Sequence, residues 1–187
     1  MEIKIGQTFI KGENVELWAP TVENVELYAK WFNSPPGRIY SRFPLPQRIS
    51  ELKKLLEPKP EFLVQTDIFL EIYYKKDQKP IGIVGLLDID WLNRKAKVSI
   101  VIGESEYWGR GIAGETLKLL FAYAFEDLNL HKLYAEVYTP NNRSIRVFEK
   151  LGLSLEATLK EEVYVDGKYF DTNIYCIYKK EWLNRSN

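Results

Sequence analysis

The chain has 187 residues, 45% of them hydrophobic and 14% aromatic, which suits one domain with a proper core and excludes global disorder. Lys+Arg and Asp+Glu balance at 26 each, so no net field points to nucleic acid or to a membrane surface. With one cysteine, Cys176, and one histidine, neither an intrachain disulfide framework nor a His/Cys metal centre is expected.

Met1–Lys11 alternates polar and apolar residues without an apolar signal-peptide core, and the most apolar run, Ile81–Leu87, is too short to span a bilayer. A single cytoplasmic domain over 1–187 is the expectation. Asn14–Trp18 reads as a short strand. Thr21 is placed to cap a helix with Val22, Val25, Tyr28, Ala29 and Phe32 on one face. Asn33–Gly37, with two prolines, is expected to stop it, and Arg38–Arg48 to be irregular. Ser50 is expected to cap a short helix carrying Leu52, Leu55 and Leu56, with a break at Pro58-Lys59-Pro60.

Strands dominate from there. Ile68–Tyr74 and Ile81–Trp91 flank a turn at Asp77–Pro80, and Asn93-Arg94 leads into Lys95–Ile102, whose Ala96, Val98, Ile100 and Ile102 alternate at the period of a strand. After a glycine-rich loop, Leu117, Leu120, Phe121, Ala124 and Phe125 recur at helical spacing to about Asp127. Lys132–Tyr138 reads as a buried strand and Asn142–Leu151 as a helix closed by Gly152. Leu155–Val165 and Tyr169–Tyr178 meet at Asp166-Gly167, a hairpin signal.

The loop Tyr107-Trp108-Gly109-Arg110-Gly111-Ile112-Ala113-Gly114 carries the chemistry. Glycines between a strand and a helix let backbone N–H groups converge on an anion, and the helix N-terminus adds partial positive charge. Gly109–Gly114 also matches the dinucleotide fingerprint G-x-G-x-x-G, with Glu136 in the place of a ribose-binding acid. That fingerprint should follow its strand directly, whereas Gly103–Trp108 intervenes, and Glu136 falls inside its strand instead of at its end. A dinucleotide-dependent oxidoreductase is therefore the rival reading.

Trp108-Gly109-Arg110-Gly111-Ile112-Ala113 resembles the pyrophosphate loop of the GNAT acetyltransferase superfamily in the W-G-[KR]-G-x-A form of its RimJ/RimL-like group. Asn141–Leu153 is similar to that group's N-x-x-S-x-x-x-x-E-K-x-G-F/L segment, and Tyr164–Asp171 to its terminal hairpin. The resemblance covers Ala96–Trp182. It implies the GNAT fold, an α/β domain with a mixed, mostly antiparallel central sheet and helices on both faces. It also implies transfer of acetyl from acetyl-CoA to a primary amine, without a metal.

By that resemblance Val101, Ile102 and Gly103 bind the pantetheine arm, a backbone N–H there polarising the acetyl carbonyl. Gly109, Arg110, Gly111, Ile112, Ala113 and Gly114 hold the pyrophosphate. Asn141 reaches the pantetheine and Ser144 the departing thiolate; the bland readings are a helix cap and a hydroxyl satisfying the backbone. Phe148 stands where many members carry an acidic tyrosine, leaving Ser144 or water to protonate the thiolate. Glu104 is the chosen general base, ahead of Glu106, Glu71, Asp88 and Asp90, each of which is otherwise a solvated or structural acid. His131, at a helix-to-strand turn, reads as structural.

Deprotonating a protein α-amine at pH 7 costs about 1–1.4 kcal/mol and a polyamine amine roughly 4.6 kcal/mol. With no evident acid or base, the expected acceptor is a peptide N-terminus. The alternatives are a polyamine or aminoglycoside acceptor, or an acyl-CoA-binding protein without catalysis. Arg38, Tyr40, Arg42, Phe43 and Arg48 read either as part of the acceptor site or as a solvated loop. Tyr169, Phe170, Tyr175, Tyr178 and Trp182 read either as a homodimer surface or as core packing.

Overall fold

The computed structural model describes residues 7–40, 45–57 and 64–186. Arg42, Phe43 and Pro58-Lys59-Pro60 lie outside these. Among these described residues eight strands form one sheet: β1 Thr8–Lys11, β2 Val15–Trp18, β3 Ile68–Tyr74, β4 Lys79–Asp90, β5 Lys95–Ile102, β6 Lys132–Tyr138, β7 Ser154–Val165 and β8 Lys168–Tyr178. Their order is β1-β2-β3-β4-β5-β6-β8-β7, and the sheet is mixed and mostly antiparallel, as the GNAT resemblance implies. The described residues also form helices α1 Val25–Asn33, α2 Pro35–Tyr40, α3 Ile49–Leu56, α4 Ile112–Ala122, α5 Asn142–Leu151 and α6 Lys179–Ser186. Among the described residues no helix is long and apolar enough to cross a membrane.

The chain divides into two compact units, Met1–Gly85 with Ile100–Leu119, and Leu86–Ser99 with Leu120–Asn187. In the first, β2 runs antiparallel to β3 with Trp18 opposite Glu71. Helix α1 lays Val25, Tyr28, Ala29, Trp31 and Phe32 into a cluster with Leu52 of α3 and Ile83 of β4. Burying each large apolar side chain contributes about 1.5–3 kcal/mol, which fixes this short helix where its own propensity could not.

The N-terminal expectations need correction at three places, around Thr21, Arg38 and Ser50. Val22–Asn24 forms a 3-10 turn before α1, and its tighter winding carries Val22 off the buried face, leaving it 45% exposed. The Thr21 hydroxyl makes no capping bond. Helix α1 does stop at Asn33, with Ser34 extended, but Pro35 and Pro36 then open a second helix, α2, where a first-turn proline loses no hydrogen bond, and the Gly37 N–H donates to Ser34 Oγ at 3.1 Å. Arg38 is consequently helical. Helix α3 begins at Ile49, so Ser50 lies inside it and not at its cap, and Leu55 is exposed.

In the second unit, β5 and β6 pair in parallel from Lys95 opposite Lys132 to Lys97 opposite Tyr134, although β5 runs on to Ile102. β6 pairs antiparallel with β8 along its whole length, and β7 with β8 through two bulges. Asp166 (φ 48°) and Gly167 (φ 80°) make the turn between β7 and β8, both in the left-handed region a tight hairpin requires. Phe121 and Phe125 pack on Trp182 at 5.7 and 6.3 Å between centroids. Trp182 and Tyr175, which is 5% exposed, are packing residues, while Tyr169 is 63% exposed.

Candidate active site

At the end of β5 the backbone divides its hydrogen bonds between two edges. The Gly103 N–H donates to Ile81 O of β4 at 2.9 Å, and the Glu104 N–H reaches the same oxygen at 3.4 Å. Gly103 therefore has no spare donor for a substrate carbonyl, contrary to one reading of the sequence. Because successive amides of a strand point to opposite edges, the Ile102 N–H and C=O face away from β4. The Trp108 indole N–H donates to that carbonyl at 2.8 Å. Trp108, read in the sequence only as a loop-motif position, thus ties the glycine loop to the strand end.

Trp31 is the second side chain that sequence reasoning passed over. Its ring lies against Gly103 so closely that a Cβ there would sit 2.1 Å from Cγ. Its indole N–H donates to Glu104 Oε1 at 2.8 Å, and Lys30 Nζ donates to the same oxygen at 2.7 Å. The helical period did carry a signal, since Trp31 stands three residues beyond Tyr28 on the face that α1 buries. Burial alone would raise the Glu104 carboxyl, but the Lys30 and Trp31 hydrogen bonds outweigh it and hold the group below the ordinary carboxylate range. Such a carboxylate is well anchored and weakly basic.

The glycine loop has the geometry expected of an anion cradle. A 3-10 turn, Ser105–Tyr107, separates it from β5, which is inconsistent with a dinucleotide fingerprint. Gly109 (φ 76°) and Gly111 (φ 79°) both occupy the left-handed region, costing about 1–2 kcal/mol for any other residue. A Cβ at Gly109, Gly111 or Gly114 would meet nothing within 4 Å, so the space above the loop is open. Helix α4 starts at Ile112, and the amides of Gly114 and Glu115 turn back to Gly111 O. The first-turn amides ahead of them, at Ile112 and Ala113, have no intrahelical acceptor. Glu115 fixes this helix end by accepting from the Asn14 and Val15 N–H groups at 2.7 and 3.2 Å.

The other candidate acids have different fates. Glu71 is fully buried beneath α1, where Oε2 accepts from Asn24 Nδ2 at 2.8 Å and from the Tyr28 hydroxyl at 2.7 Å. Burial pushes this carboxyl up despite those two hydrogen bonds. Glu106 meets Lys79 Nζ at 3.4 Å. In the second unit Asp88 pairs with Lys97 at 2.7 Å, and Asp90 accepts from the Asn93 N–H and side-chain amide in the β4–β5 turn. Each of these acids is engaged by partners within its own unit. His131 sits in backbone bonds to Arg94 and Lys179, a structural place.

Also in the second unit, Asn141 caps α5, its Oδ1 accepting from the Ser144 N–H at 3.3 Å. The cap reading of Asn141 is thereby realised, and its Nδ2 is the atom left for a ligand. Ser144 lies one turn in and is half-buried, while Phe148 is 4% exposed and belongs to the core.

The family model for the acetyltransferase (GNAT) domain matches residues 14–154. The spermidine N(1)-acetyltransferase of Escherichia coli K12 is 36% identical over 107 residues, 57% of this chain and 57% of that protein. A putative ribosomal N-acetyltransferase, YdaF of Bacillus subtilis, is 33% identical over 101 residues, 54% of this chain and 55% of that protein. The chain thus spans under two thirds of the length of these curated relatives. The solved spermidine N-acetyltransferase from Vibrio cholerae in complex with CoA and spermine superposes with a TM-score of 0.82 at 26% identity, covering 91% of this chain and 99% of that one.

Proposed function

Because the chain belongs to the GNAT acetyltransferase family, we propose that it transfers acetyl from acetyl-CoA directly to a primary amine, and that the amine is a polyamine. The cofactor reading rests on the paired left-handed glycines, Gly109 and Gly111, opening onto unobstructed space at the N-terminus of α4. Gly109–Gly114 take the pyrophosphate. The Ile102 N–H, turned away from β4, serves as donor to the acetyl oxygen, with Val101 and Gly103 shaping the strand end around it. In the second unit, Asn141 Nδ2 and Ser144 are the groups that the GNAT resemblance assigns to the pantetheine and the sulfur.

The amine nitrogen forms its bond to the acetyl carbon as the C–S bond breaks, negative charge passing through the carbonyl oxygen. The thiolate then takes a proton from Ser144 or from water, Phe148 having none. A polyamine amine must shed its proton at a cost of roughly 4.6 kcal/mol at pH 7, which calls for a proton acceptor. Glu104, ionised and adjoining the strand end, receives it through water. Its weak basicity makes its larger contribution the anchoring of Lys30 and Trp31 beside Gly103.

The acceptor reading departs from the α-amine expectation, and spermidine N(1)-acetyltransferase from Escherichia coli supports the change. A RimJ/RimL-like enzyme acting on a peptide N-terminus is the second reading, favoured by Trp108–Ala113 and by the likeness to YdaF. Thiol release from acetyl-CoA, measured with spermidine and with N-terminal peptides, separates the two. Turnover with spermidine is expected; turnover only with peptides would reverse the assignment.

A further inference from the structure

Arg110 stands between the two left-handed glycines, Gly109 and Gly111. Its guanidinium carbon lies 5.3 Å from the centroid of the Tyr107 ring. Lys79 Nζ, from the start of β4, lies 5.1 Å from the same centroid. Two cations are therefore gathered on one aromatic ring at the foot of the glycine loop.

The ring is built to hold them. Tyr107 is 3% exposed, its hydroxyl donates to the Asp77 carboxylate, and Tyr74 packs edge-on at 5.1 Å. A phenol donating to a carboxylate carries more electron density on its face, which strengthens the attraction for a cation. Glu106 pairs with Lys79 at 3.4 Å. Among the described residues the ring of Tyr107 is the partner recorded for Arg110.

Backbone N–H groups of the loop suffice for a pyrophosphate, whose charge is shared between two diester phosphates. They leave the side-chain cations of Arg110 and Lys79 beside the cradle, Lys79 also pairing with Glu106. A guanidinium with a neighbouring ammonium matches a phosphate monoester, close to dianionic at neutral pH, with three acceptor oxygens. Coenzyme A carries one such group, on the ribose 3′ oxygen. We propose that Arg110 and Lys79, seated on Tyr107, form the subsite for that 3′-phosphate and so make the protein discriminate coenzyme A from its 3′-dephospho form. This rests on the acetyl-CoA reading above.

Calorimetric titration of the full chain with CoA and with 3′-dephospho-CoA, at low and high salt, tests the subsite. Wild-type protein is expected to bind CoA at least about tenfold more tightly, since each charge-assisted contact is among the stronger hydrogen bonds, and the ratio should shrink in high salt. In the Lys79→Gln/Arg110→Gln double variant the ratio should collapse toward one. Equal affinities in the wild type, or a preference that survives in the double variant, would overturn the subsite while leaving the cofactor reading intact. Binding of neither nucleotide by the wild type would overturn the cofactor reading and the subsite with it.

Discussion

Gly103→Ala probes the contact that couples α1 to the end of β5. The added methyl would meet Trp31 Cγ, Cδ1 and Cδ2 at 2.1, 2.3 and 2.4 Å. Carbon atoms in contact need about 3.5–4.0 Å, so the ring or the strand must shift by about 1.5 Å. Trp31 is 1% exposed among Tyr28, Phe32 and Ile83 and has no room to yield. Overpacking of this kind costs about 1–3 kcal/mol. A shift that size also breaks the 2.8 Å bond from Trp31 Nε1 to Glu104, worth about 1.5–3 kcal/mol for a charged acceptor. At about 2–4 °C per kcal/mol for a chain of this length, the overpacking alone lowers Tm by roughly 2–12 °C. Thermal and urea unfolding measure the loss, and Trp31→Leu in the same background should restore part of it, giving a coupling energy by double-mutant cycle. An alanine variant as stable as the wild type, with additive effects in the cycle, would refute the packing of Trp31 on Gly103.

Glu71 gives a pH signature. Its carboxyl is raised by burial, so its contribution to stability is fullest below the ordinary carboxylate pKa and is lost as pH rises through the elevated value. Glu71→Gln, which can still accept from Asn24 and Tyr28, should flatten the decline in urea midpoint between mildly acid and neutral pH. Glu71→Ala leaves both donors unpaired and should cost about 1–3 kcal/mol for each. Glu104 behaves oppositely: held below its ordinary range, it stabilises at neutral pH, and that contribution fades as pH falls through its depressed value, so Glu104→Gln should flatten the acid limb of the same titration. Gly111→Ala meets no atom but must hold φ near 79°; about 1–2 kcal/mol of stability and most of the acetyl-CoA affinity should be lost, as read by unfolding and calorimetry.

The sequence by itself determined the strands from β3 onward, helices α4 and α5, and the left-handed glycines of the loop, because these rest on local rules, while α6 went unread. Lys95–Ile102, Lys132–Tyr138 and Asn142–Leu151 begin and end where alternation, helical spacing and the Gly152 stop place them. Positive φ at Gly109, Gly111, Gly152 and Gly167 follows from residue type in the same way. Local rules misled around Thr21, Arg38 and Ser50, where capping and helix-stopping signals compete within a few residues, although the stop of α1 at Asn33 was legible. Side-chain roles that depend on a partner far along the chain were illegible. Nothing near Glu71 announces Asn24 and Tyr28 as its donors, and nothing near Glu104 announces Lys30 and Trp31. Only the tertiary structure decided that one carboxylate is buried and the other anchored, because both results come from which groups share low-dielectric space, a property of distance in the fold and not of distance in the chain.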